Sequence, residues 1–455
     1  MVGALIGEEA VIGQLPPPLQ RLMEFERFHL HSLEEFQISS RDPAFDTRYF
    51  PQNCGAFRLP CFWVRRRNLF VLGSGLASAA TQGLFDGEGP QGRVLFPIHP
   101  AELDRYKEFL AEVEASDAAT EGLHIWAVPT SSTRTLLAWP DSTADRALFI
   151  KTPLHSRIFG DRRIHKGRIG FSLAMSSLVQ NSLHKLPSNL GYLPEVVGFA
   201  PRRMEGSGVI VREIPEELKS PQHIVAPLFS LLGGSGGRKP LFLVIIERTG
   251  INARDLFEGM FCTHLSRLWL TLALRSGLIL EFHGQDILVA LGMDYRPLDR
   301  YIYRDFEGLQ VDWELRRCLG LEDPEYMAGA ASWHETYGSS GYGYPYSSLI
   351  SWKLWISLFQ YSHFVLRDVD RLLRKWQEQR LIDGPRLENG EVMEIFATNM
   401  ATAIEEMFGV RLKGQYKLSS SLRMFVIALL QIRKELMRGP VKAGSRMAPM
   451  ERIGI

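Results

Sequence analysis

Four short polar segments in the middle of the chain carry the residue types that could do chemistry. Each lies where a strand-like or helix-like run of residues ends. The segments are PTSSTRT (129–135), KTPLHSRIFGDRR (151–163), EFHGQD (281–286) and YRDFEG (303–308). Taken singly, each has an ordinary explanation, such as a helix cap, a solvated charged face or a helix that stops at glycine. Taken together and in this order, they predict a functional site.

The first two segments offer positive charges and hydroxyl groups. Arginine binds phosphate or carboxylate groups through paired hydrogen bonds, and lysine binds them as a point charge. The side chains concerned are Ser131, Ser132, Thr133, Arg134, Lys151, Arg157, Arg162 and Arg163. We therefore expect a binding site for phosphates or for a polycarboxylate.

The last two segments offer carboxylates. Glu281 and Asp305, with Asp286 and Glu307 as further candidates, carry the hard oxygen ligands that Mg²⁺ prefers. His283 could orient a substrate or exchange a proton, with a hydrogen-bonded core histidine as the alternative. Cations for phosphates beside carboxylates for Mg²⁺ are typical of an enzyme that uses a nucleotide.

Hydrophobic periodicity indicates the elements that must position these segments. Strands are predicted within 41–75 and at 147–151, 208–214 and 241–248, and helices at 16–38, 101–115, 256–280, 351–378, 391–408 and 419–437. A Gly/Tyr/Ser-rich stretch at 331–348 predicts a loop, either a cover over a site or a surface excursion. Strands in the middle of the chain and helices towards its end indicate an α+β fold.

Composition argues against several classes of protein. The chain has 455 residues, of which 45% are hydrophobic and 23% charged, as in ordinary globular proteins. Its formal net charge of +1 argues against a whole-chain electrostatic interaction with nucleic acid or an anionic membrane. The sequence shows no basic-then-apolar leader and no run of roughly 20 apolar residues, so we expect a cytoplasmic protein without a membrane segment. The cysteines, Cys54, Cys61, Cys262 and Cys318, lack zinc-binding spacing.

The order of the motifs across about residues 95–310 resembles the NRPS-independent siderophore (NIS) synthetases, and in particular the aerobactin-synthetase-like (IucA/IucC) family. PIHP (97–100) resembles the HPWQ element of that family and PTSSTRT its SxRT element. EFHGQD and YRDFEG are similar to its ExHxQN and RDF-G elements. Lys151 and Arg163 have the separation of the Lys and Arg in its KL…TSxxR element, while VIVREIP (209–215) and KLSSSLRM (417–424) resemble two further family segments.

The resemblance implies a cupped-hand α+β architecture with central antiparallel strands and a mainly helical C-terminal part. Residues 1–95 would form a shortened thumb-like region, 96–250 a fingers-like region that binds ATP, 251–438 a palm-like region, and 439–455 a disordered tail. It also implies an ATP- and Mg²⁺-dependent ligase, which activates a carboxylic acid as an acyl-adenylate and transfers the acyl group to an amine or hydroxyl. The implied partners are these small molecules and, as a homodimer, a second copy of the chain.

The resemblance further implies roles for individual residues. It implies Arg134, Lys151, Arg163 and His283 as catalytic residues; Ser131, Ser132, Thr133, Arg134, Lys151, Arg163, His283, Gln285 and Asp286 as ATP-binding residues; His99, Arg157, Phe159, Gly160 and Arg212 as substrate-binding residues; and Glu281, Asp286, Asp305 and Glu307 as metal ligands.

Departures from the family pattern bear on the substrate. Phe159 and Gly160 stand where the family has Thr and Ser, Asp286 stands where it has Asn, and no HPxxK element precedes residue 95. Replacing a hydroxyl by an aromatic ring in a polycarboxylate pocket argues against citrate as the acyl substrate. Two alternatives stay open beside the ligase. One is a non-catalytic relative that binds a nucleotide or acyl metabolite, and the other is a phosphotransferase that would release ADP.

Overall fold

The computed structural model describes residues 11–29, 47–78, 81–82, 85, 92–141, 143–158, 161–163, 168–182, 186–204, 206–234, 237–321, 346–384, 388–412 and 418–438. The tail expected at 439–455, most of the loop expected at 331–348, and the substrate candidates Phe159 and Gly160 lie outside these residues. The chain divides into two compact units. The first unit is Met1–Asn181, Tyr192–Lys239 and Arg304–Glu307, and the second is Ser182–Gly191, Pro240–Tyr303 and Gly308–Ile455.

The described part of the chain contains both strands and helices. The strands are β1 (Phe57–Arg58), β2 (Cys61–Arg65), β3 (Leu69–Gly73), β4 (Arg93–Pro97), β5 (Ser116–Asp117), β6 (Ile125–Pro129), β7 (Thr135–Pro140), β8 (Leu148–Lys151), β9 (Leu154–Ile158), β10 (Asp161–Arg163), β11 (Leu190–Tyr192), β12 (Glu195–Pro201), β13 (Val209–Arg212), β14 (His223–Pro227), β15 (Leu278–Ile279), β16 (Ile287–Gly292), β17 (Pro297–Tyr303) and β18 (Gln310–Val311). The α-helices are α1 (Pro17–Phe28), α2 (Leu103–Glu112), α3 (Arg168–Ser182), α4 (Glu216–Lys219), α5 (Leu241–Thr249), α6 (Ala253–Phe257), α7 (Leu265–Arg275), α8 (Trp313–Cys318), α9 (Tyr346–Tyr361), α10 (Arg367–Glu378), α11 (Glu391–Phe408) and α12 (Leu418–Met437).

A seven-stranded sheet forms the frame of the first unit. Its strand order is β1-β6-β7-β8-β13-β12-β3, and each neighbouring pair is antiparallel. β6 and β7 are buried along their whole length, because nearly every residue in IWAVP and TLLAWP is apolar. In the middle of this sheet, Lys151 at the end of β8 lies opposite Thr135 of β7 and Ile210 of β13. Because Lys151 is flanked by a paired strand on each side, its backbone has little conformational freedom.

The core of the first unit also holds the smaller sheet β4-β2-β5 and helix α2. Phe96 of β4 packs its ring against the rings of Tyr106 and Phe109 from α2 and of Phe199 from β12. All four side chains are buried. These aromatic contacts join the smaller sheet to the seven-stranded sheet, since Phe96 belongs to the first and Phe199 to the second.

Helix α1 packs against β14 within the first unit. Pro17 and Pro18 occupy its first turn, where a backbone N–H would have no partner within the helix. Its buried side chains include Leu22 and Met23, and Glu26 lies on the same buried face. A carboxylate in that position must be paired, because an isolated buried charge is costly.

The second unit is mainly helical. Helix α11 packs against α7, α10, α12 and the π-helical segment Glu258–His264. A second π-helical segment, Ser362–Leu366, joins α9 to α10. β16 and β17 form an antiparallel hairpin, and the short strands β15 and β18 pair with each other. None of the described helices is long and apolar enough to span a membrane.

The strand predicted at 241–248 is wrong, because LFLVIIER forms helix α5. Pro240 starts this helix, and Gly250 ends it with a left-handed φ of 69°. Leu241, Phe242 and Leu243 are consecutive and all buried, so the run is apolar on more than one face. A short run of this kind cannot be told from a buried strand by periodicity, and tertiary burial outweighs its β-branched composition.

Most other predicted elements are confirmed. The helices predicted at 101–115, 351–378, 391–408 and 419–437 appear as α2, α9 with α10, α11 and α12, and the strands at 147–151 and 208–214 as β8 and β13. The helix predicted at 256–280 ends earlier, at Arg275, and strand β15 follows it. Within 16–38 the described helix is α1, and residues 30–38 lie outside the described part. The α+β class with antiparallel strands and a helical C-terminal part is confirmed.

Candidate functional site

Lys151 is the centre of a charged cluster in the first unit. Its side chain is 1% exposed. Its Nζ donates hydrogen bonds to Oδ1 of Asp305 at 2.7 Å and to Oε2 of Glu307 at 3.0 Å. An ammonium group removed from water is tolerated only with such partners. The cation from the second polar segment and the carboxylates from the fourth therefore meet directly.

Two arginines complete this cluster. Nη2 of Arg212 lies 3.3 Å from Oδ1 of Asp305, and Nη2 of Arg134 lies 3.9 Å from Oε2 of Glu307. Burial alone would raise the pKa of Asp305, but the charges of Lys151 and Arg212 outweigh it and hold this pKa well below its ordinary value. Asp305 is thus a carboxylate at neutral pH, and three cations face two carboxylates.

Arg212 is also held by a third carboxylate. Glu195 of β12 is fully buried, and its Oε1 lies 2.7 Å from both Nε and Nη2 of Arg212. Ser172 of α3 donates its hydroxyl to Oε2 of Glu195, and Ser176 accepts the Glu195 backbone N–H at 2.8 Å. The guanidinium is thereby fixed between Glu195 and Asp305. This geometry favours a role in orienting Asp305 over a role in binding a substrate carboxylate.

The loop between β6 and β7 is a tight, strained turn. Thr130 donates its N–H to the C=O of Thr135 at 2.9 Å and closes the hairpin. Within it, Arg134 donates its N–H to the C=O of Ser132 at 2.7 Å, and Thr133 between them has a φ of 64°. A left-handed φ is an outlier for a β-branched residue, and a hydrogen bond closed around it defines a rare γ-turn. Arg134 directly follows this strained residue, so the turn determines the position of the Arg134 Cα atom.

Ser131, in the same loop, is bound by a carboxylate of α1. Oε2 of Glu26 accepts the Ser131 N–H at 3.1 Å and its hydroxyl at 2.7 Å. Oε1 of Glu26 accepts from Nη1 of Arg304 at 2.5 Å, and Arg304 is the residue before Asp305. Glu26, Glu195 and Arg304 were missed by sequence reasoning. A carboxylate on the apolar stripe of a predicted helix is the signal that could have identified Glu26.

His99 lies buried at the turn after β4. Its Nδ1 accepts the N–H of Ala101 at 3.2 Å and caps that turn. Burial lowers the pKa of His99 to about 4, although Glu102 and a hydrogen bond with the backbone of Thr133 oppose the shift. Glu102 in turn accepts the N–H of His155 at 2.9 Å and lies 2.7 Å from Nδ1 of the same residue. Because His99 is neutral and caps the turn, its environment favours a role in shaping the turn over contact with a substrate.

Arg157 and Arg163 lie on opposite strands of the β9–β10 hairpin in the first unit. Arg157 is in register with Arg162, and Arg163 is in register with Leu154 across a bulge. The residues between the two strands, Phe159 and Gly160, fall outside the described part of the chain. The hairpin follows Lys151 closely in the sequence, so its backbone begins at the charged cluster.

The EFHGQD segment forms a turn in the second unit. Oε1 of Glu281 accepts from Nε2 of Gln360 in α9 at 2.8 Å. His283 donates its N–H to the C=O of Glu281 at 2.9 Å, and Asp286 donates its N–H to the C=O of His283 at 3.1 Å. Nδ1 of His283 accepts the N–H of Gln285 at 3.1 Å. The neutral His283 ring therefore carries its proton on Nε2, as a donor.

Gly308 makes a close approach to Glu281 in the second unit. A Cβ atom on Gly308 would lie 2.0 Å from Oε2 and 2.9 Å from Cβ of Glu281. Any side chain at this position must displace the carboxylate. The glycine of YRDFEG is thus what allows the carboxylate of EFHGQD to occupy its place.

The structure therefore groups the predicted residues as follows. Arg134, Lys151, Arg212, Asp305 and Glu307 form one cluster in the first unit, and Glu281, His283, Gln285 and Asp286 share one turn in the second unit. Among the described residues, no three His, Cys, Asp or Glu side chains form a group that could hold a metal ion by themselves. Asp305 and Glu307 still suit Mg²⁺, because proteins commonly bind this ion through one or two carboxylates together with phosphate oxygens.

A family comparison supports the motif-based resemblance. A model of the IucA / IucC family matches residues 42–233. This segment contains Arg134, Lys151 and Arg212, but neither α1 nor the segment around Asp305. A comparison with curated proteins finds no match.

Solved siderophore synthetase structures share the fold. Aerobactin synthetase IucC from a hypervirulent pathotype of Klebsiella pneumoniae aligns with a TM-score of 0.57 and 16% identity, over 93% of this chain and 84% of its own. ATP-bound aerobactin synthetase IucA from the same source gives a TM-score of 0.58 and 18% identity, over 88% and 74%. The petrobactin biosynthesis protein AsbB from Bacillus anthracis gives 0.59 and 14%, over 87% and 68%.

At identities this low, the structural likeness establishes the fold alone. That fold is the one found in NIS siderophore synthetases. Together with the match over residues 42–233, it confirms the resemblance to the aerobactin-synthetase-like IucA/IucC family.

Proposed function

We propose that this protein is an ATP-dependent ligase, which adenylates a carboxylic acid and condenses it with an amine or hydroxyl in the biosynthesis of a siderophore or related natural product. The observation that carries the proposal is the cluster in which Lys151, Arg134 and Arg212 face Asp305 and Glu307. The fold shared with an ATP-bound synthetase supports the use of ATP. We place the reaction in the cytoplasm and in a homodimer, as the family resemblance implies.

The donor set fits a magnesium nucleotide. Asp305 and Glu307 would hold Mg²⁺. A metal-binding role for Glu281 and Asp286 stays a prediction of the family resemblance. When bound, the ion supplies positive charge that neutralises phosphate oxygens. If Asp305 and Glu307 held the ion, part of their interaction with Lys151 would be lost, and the ammonium group of Lys151 could then bind phosphate.

Lys151 and Arg134 stabilise the negative charge that develops during adenylation. In that step the acid oxygen bonds to the α-phosphorus and the bond to pyrophosphate breaks, so charge gathers on phosphate oxygens. Cations that are already fixed in a partly dehydrated site stabilise this charge without reorganisation. Arg163, Ser132 and Thr133 are our candidates for further contacts to the phosphates, and Ser131 holds the loop through Glu26.

His283 presents its Nε2–H as a donor, and we assign it with Gln285 to the nucleotide and the acyl group. In the second half-reaction, the nucleophile bonds to the acyl carbon while AMP leaves with the electron pair of the broken C–O bond. This step needs correct placement of the nucleophile beside the adenylate more than it needs a covalent intermediate.

The acyl substrate is expected to differ from citrate. Arg157 on the β9–β10 hairpin is our candidate to bind its carboxylate, with Phe159 and Gly160 between the two strands. Arg212 is a weaker candidate, because Glu195 and Asp305 already hold its guanidinium. His99 is weaker for a similar reason, since it is buried and caps a turn.

ATP–pyrophosphate exchange against a panel of carboxylic acids tests the proposal. At least one acid should support exchange, and hydroxylamine should trap the activated acyl group. Lys151→Ala should abolish exchange, whereas Lys107→Ala should preserve it, because Lys107 is 67% exposed and pairs only with nearby Asp104 among the described ion pairs. Folded protein that gives no ATP-dependent signal with any acid would overturn the ligase.

A non-catalytic relative is the second candidate. Asp305 and Glu307 already neutralise Lys151, and Asp286 places an acid where the family has Asn, which favours a site that binds without turnover. Calorimetry separates the candidates. ATP binding without pyrophosphate exchange supports the binding protein, and release of ADP would support a phosphotransferase instead.

A further inference from the structure

Two segments of the charged cluster contain strained backbone. Thr133, next to Arg134, has a φ of 64°, and Asp305, which binds Lys151, has a φ of 78°. Neither residue is glycine, so the left-handed conformation costs free energy at both positions. Such conformations persist only where surrounding contacts hold them, and they concentrate at functional sites.

One buried side chain contacts both strained segments. Glu26 accepts two hydrogen bonds from Ser131, two residues before Thr133, and one from Arg304, the neighbour of Asp305. Its partners are 105 and 278 residues away in the sequence. The carboxylate is fully buried, so its charge interacts with these partners with little screening by water.

Helix α1 is well placed to act as the support for this contact. Arg27, beside Glu26, donates to the backbone oxygens of Pro51 at 3.0 Å and Cys54 at 2.7 Å. The imidazole of His29 lies 3.1 Å from the backbone oxygen of Gly233. The helix is therefore bound at its C-terminal end to two other parts of the first unit. These contacts fix the position of the helix backbone at Glu26, and with it the position of the Glu26 carboxylate.

We propose that Glu26 is a positioning residue of the site. It holds the strained turn at Thr133 and the strained residue Asp305 in one arrangement, so that Arg134 and Asp305 are ready for the nucleotide and its metal. The proposal rests on the ligase function proposed above. It makes α1, which lies outside the family match at 42–233, part of the ATP-binding machinery.

Enzyme kinetics with variants of α1 test this role. Glu26→Ala should raise the KM for ATP and the Mg²⁺ concentration for half-maximal rate by about tenfold or more, and Glu26→Asp should restore part of the loss. Glu24→Gln is the matched control, because Glu24 lies on the same helix, is 51% exposed and pairs with Arg238. A lower melting temperature for Glu26→Ala with unchanged KM values would show a purely structural role and overturn the proposal.

A double-mutant cycle tests the link to backbone strain. Glycine adopts a φ of 64° without strain, so Thr133→Gly removes the backbone strain at position 133 that the contacts of Glu26 must otherwise offset. We expect the loss of ATP affinity in Glu26→Ala to be smaller when Thr133→Gly is also present. Independent, additive effects on the Kd from calorimetry would contradict the proposal.

Hydrogen exchange provides a test that does not depend on ligase activity. Glu26→Ala should speed amide exchange in both 130–135 and 304–307, and Glu24→Gln should leave both segments unchanged. Faster exchange in neither segment, or in only one, would overturn the proposal even for a protein without turnover. Conversely, if the wild-type protein fails to bind ATP but Glu26→Ala still speeds exchange in both segments, the ligase proposal is overturned and the positioning of the two segments by Glu26 is retained.

Discussion

Lys151 and Asp305 are 154 residues apart in the sequence, yet Nζ of one lies 2.7 Å from Oδ1 of the other. The first belongs to the central sheet of the first unit, and the second follows strand β17. Their contact joins the segment that we propose supplies a cation for phosphate to the segment that we propose supplies a carboxylate for the metal. Under the proposed function, we expect these two groups to separate when Mg·ATP binds.

Asp305→Asn should impair both metal and nucleotide binding. The amide cannot offer a charged oxygen to Mg²⁺, and the loss of one negative charge disturbs the balance among Lys151, Arg212 and Glu307. We expect the Mg²⁺ concentration for half-maximal exchange to rise by about tenfold or more and kcat to fall by roughly 10²-fold, comparable to the loss when one preorganised hydrogen-bond donor to a transition state is removed.

The control for this variant is Asp104→Asn. Asp104 is exposed and pairs with Lys107 on the surface of α2. The kcat of Asp104→Asn and its Mg²⁺ concentration for half-maximal exchange should both match the wild type. An Mg²⁺ response of Asp305→Asn equal to that of the control would show that Asp305 does not bind the metal.

The lowered pKa of Asp305 makes stability depend on pH in the acid range. The unfolded chain takes up a proton at this position near the ordinary pKa of aspartate, about 3.9, whereas the folded protein holds the carboxylate ionised to lower pH. The stabilisation is therefore complete above about pH 4 and is lost as the pH falls below it. In urea unfolding at pH 3–6, the free energy of unfolding should fall less with decreasing pH for Asp305→Asn than for the wild type. Parallel curves would contradict this assignment.

His99 should add a second pH dependence at milder acidity. Its pKa falls to about 4 on folding, so between about pH 6.5 and 4 the unfolded chain binds a proton that the folded protein does not. Stability therefore decreases as the pH falls through this window, by up to about 3 kcal/mol. His99→Asn keeps an oxygen acceptor for the Ala101 N–H and should flatten the change in free energy of unfolding between pH 7 and 5. An unchanged slope would rule out His99 as its source.

Gly308→Ala should disturb Glu281 in the second unit. The added Cβ would lie 2.0 Å from a Glu281 oxygen, so the carboxylate must move and its hydrogen bond from Gln360 must weaken. If Glu281 contributes to metal binding, pyrophosphate exchange should fall by about tenfold or more. Gly259→Ala is a matched control, because a Cβ there meets nothing within 4 Å and its φ is not left-handed. Equal activity of the two variants would remove Glu281 from the proposed site.

Local patterns predicted much of the fold. Amphipathic spacing identified α2, α11 and α12, and apolar runs identified β8 and β13, because these signals depend on neighbours within a few residues. The same local signals failed for α5, where LFLVIIER reads equally well as a buried strand and the surrounding core decides the outcome. The boundaries of the two units also lay beyond local patterns, since Arg304–Glu307 joins the first unit from within a segment of the second.

The sequence by itself determined which chemistry the protein carries: lysine, arginine and hydroxyl groups in two segments, carboxylates and a histidine in two others, all in the order of a known synthetase family. Side-chain type is a property of each residue, so no folding is needed to state it. Only the tertiary structure decided which groups meet. Glu26 binds Ser131 and Arg304, Glu195 binds Arg212, and Asp305 binds Lys151, because strand pairing and burial bring together positions whose separation in the chain carries no information about contact.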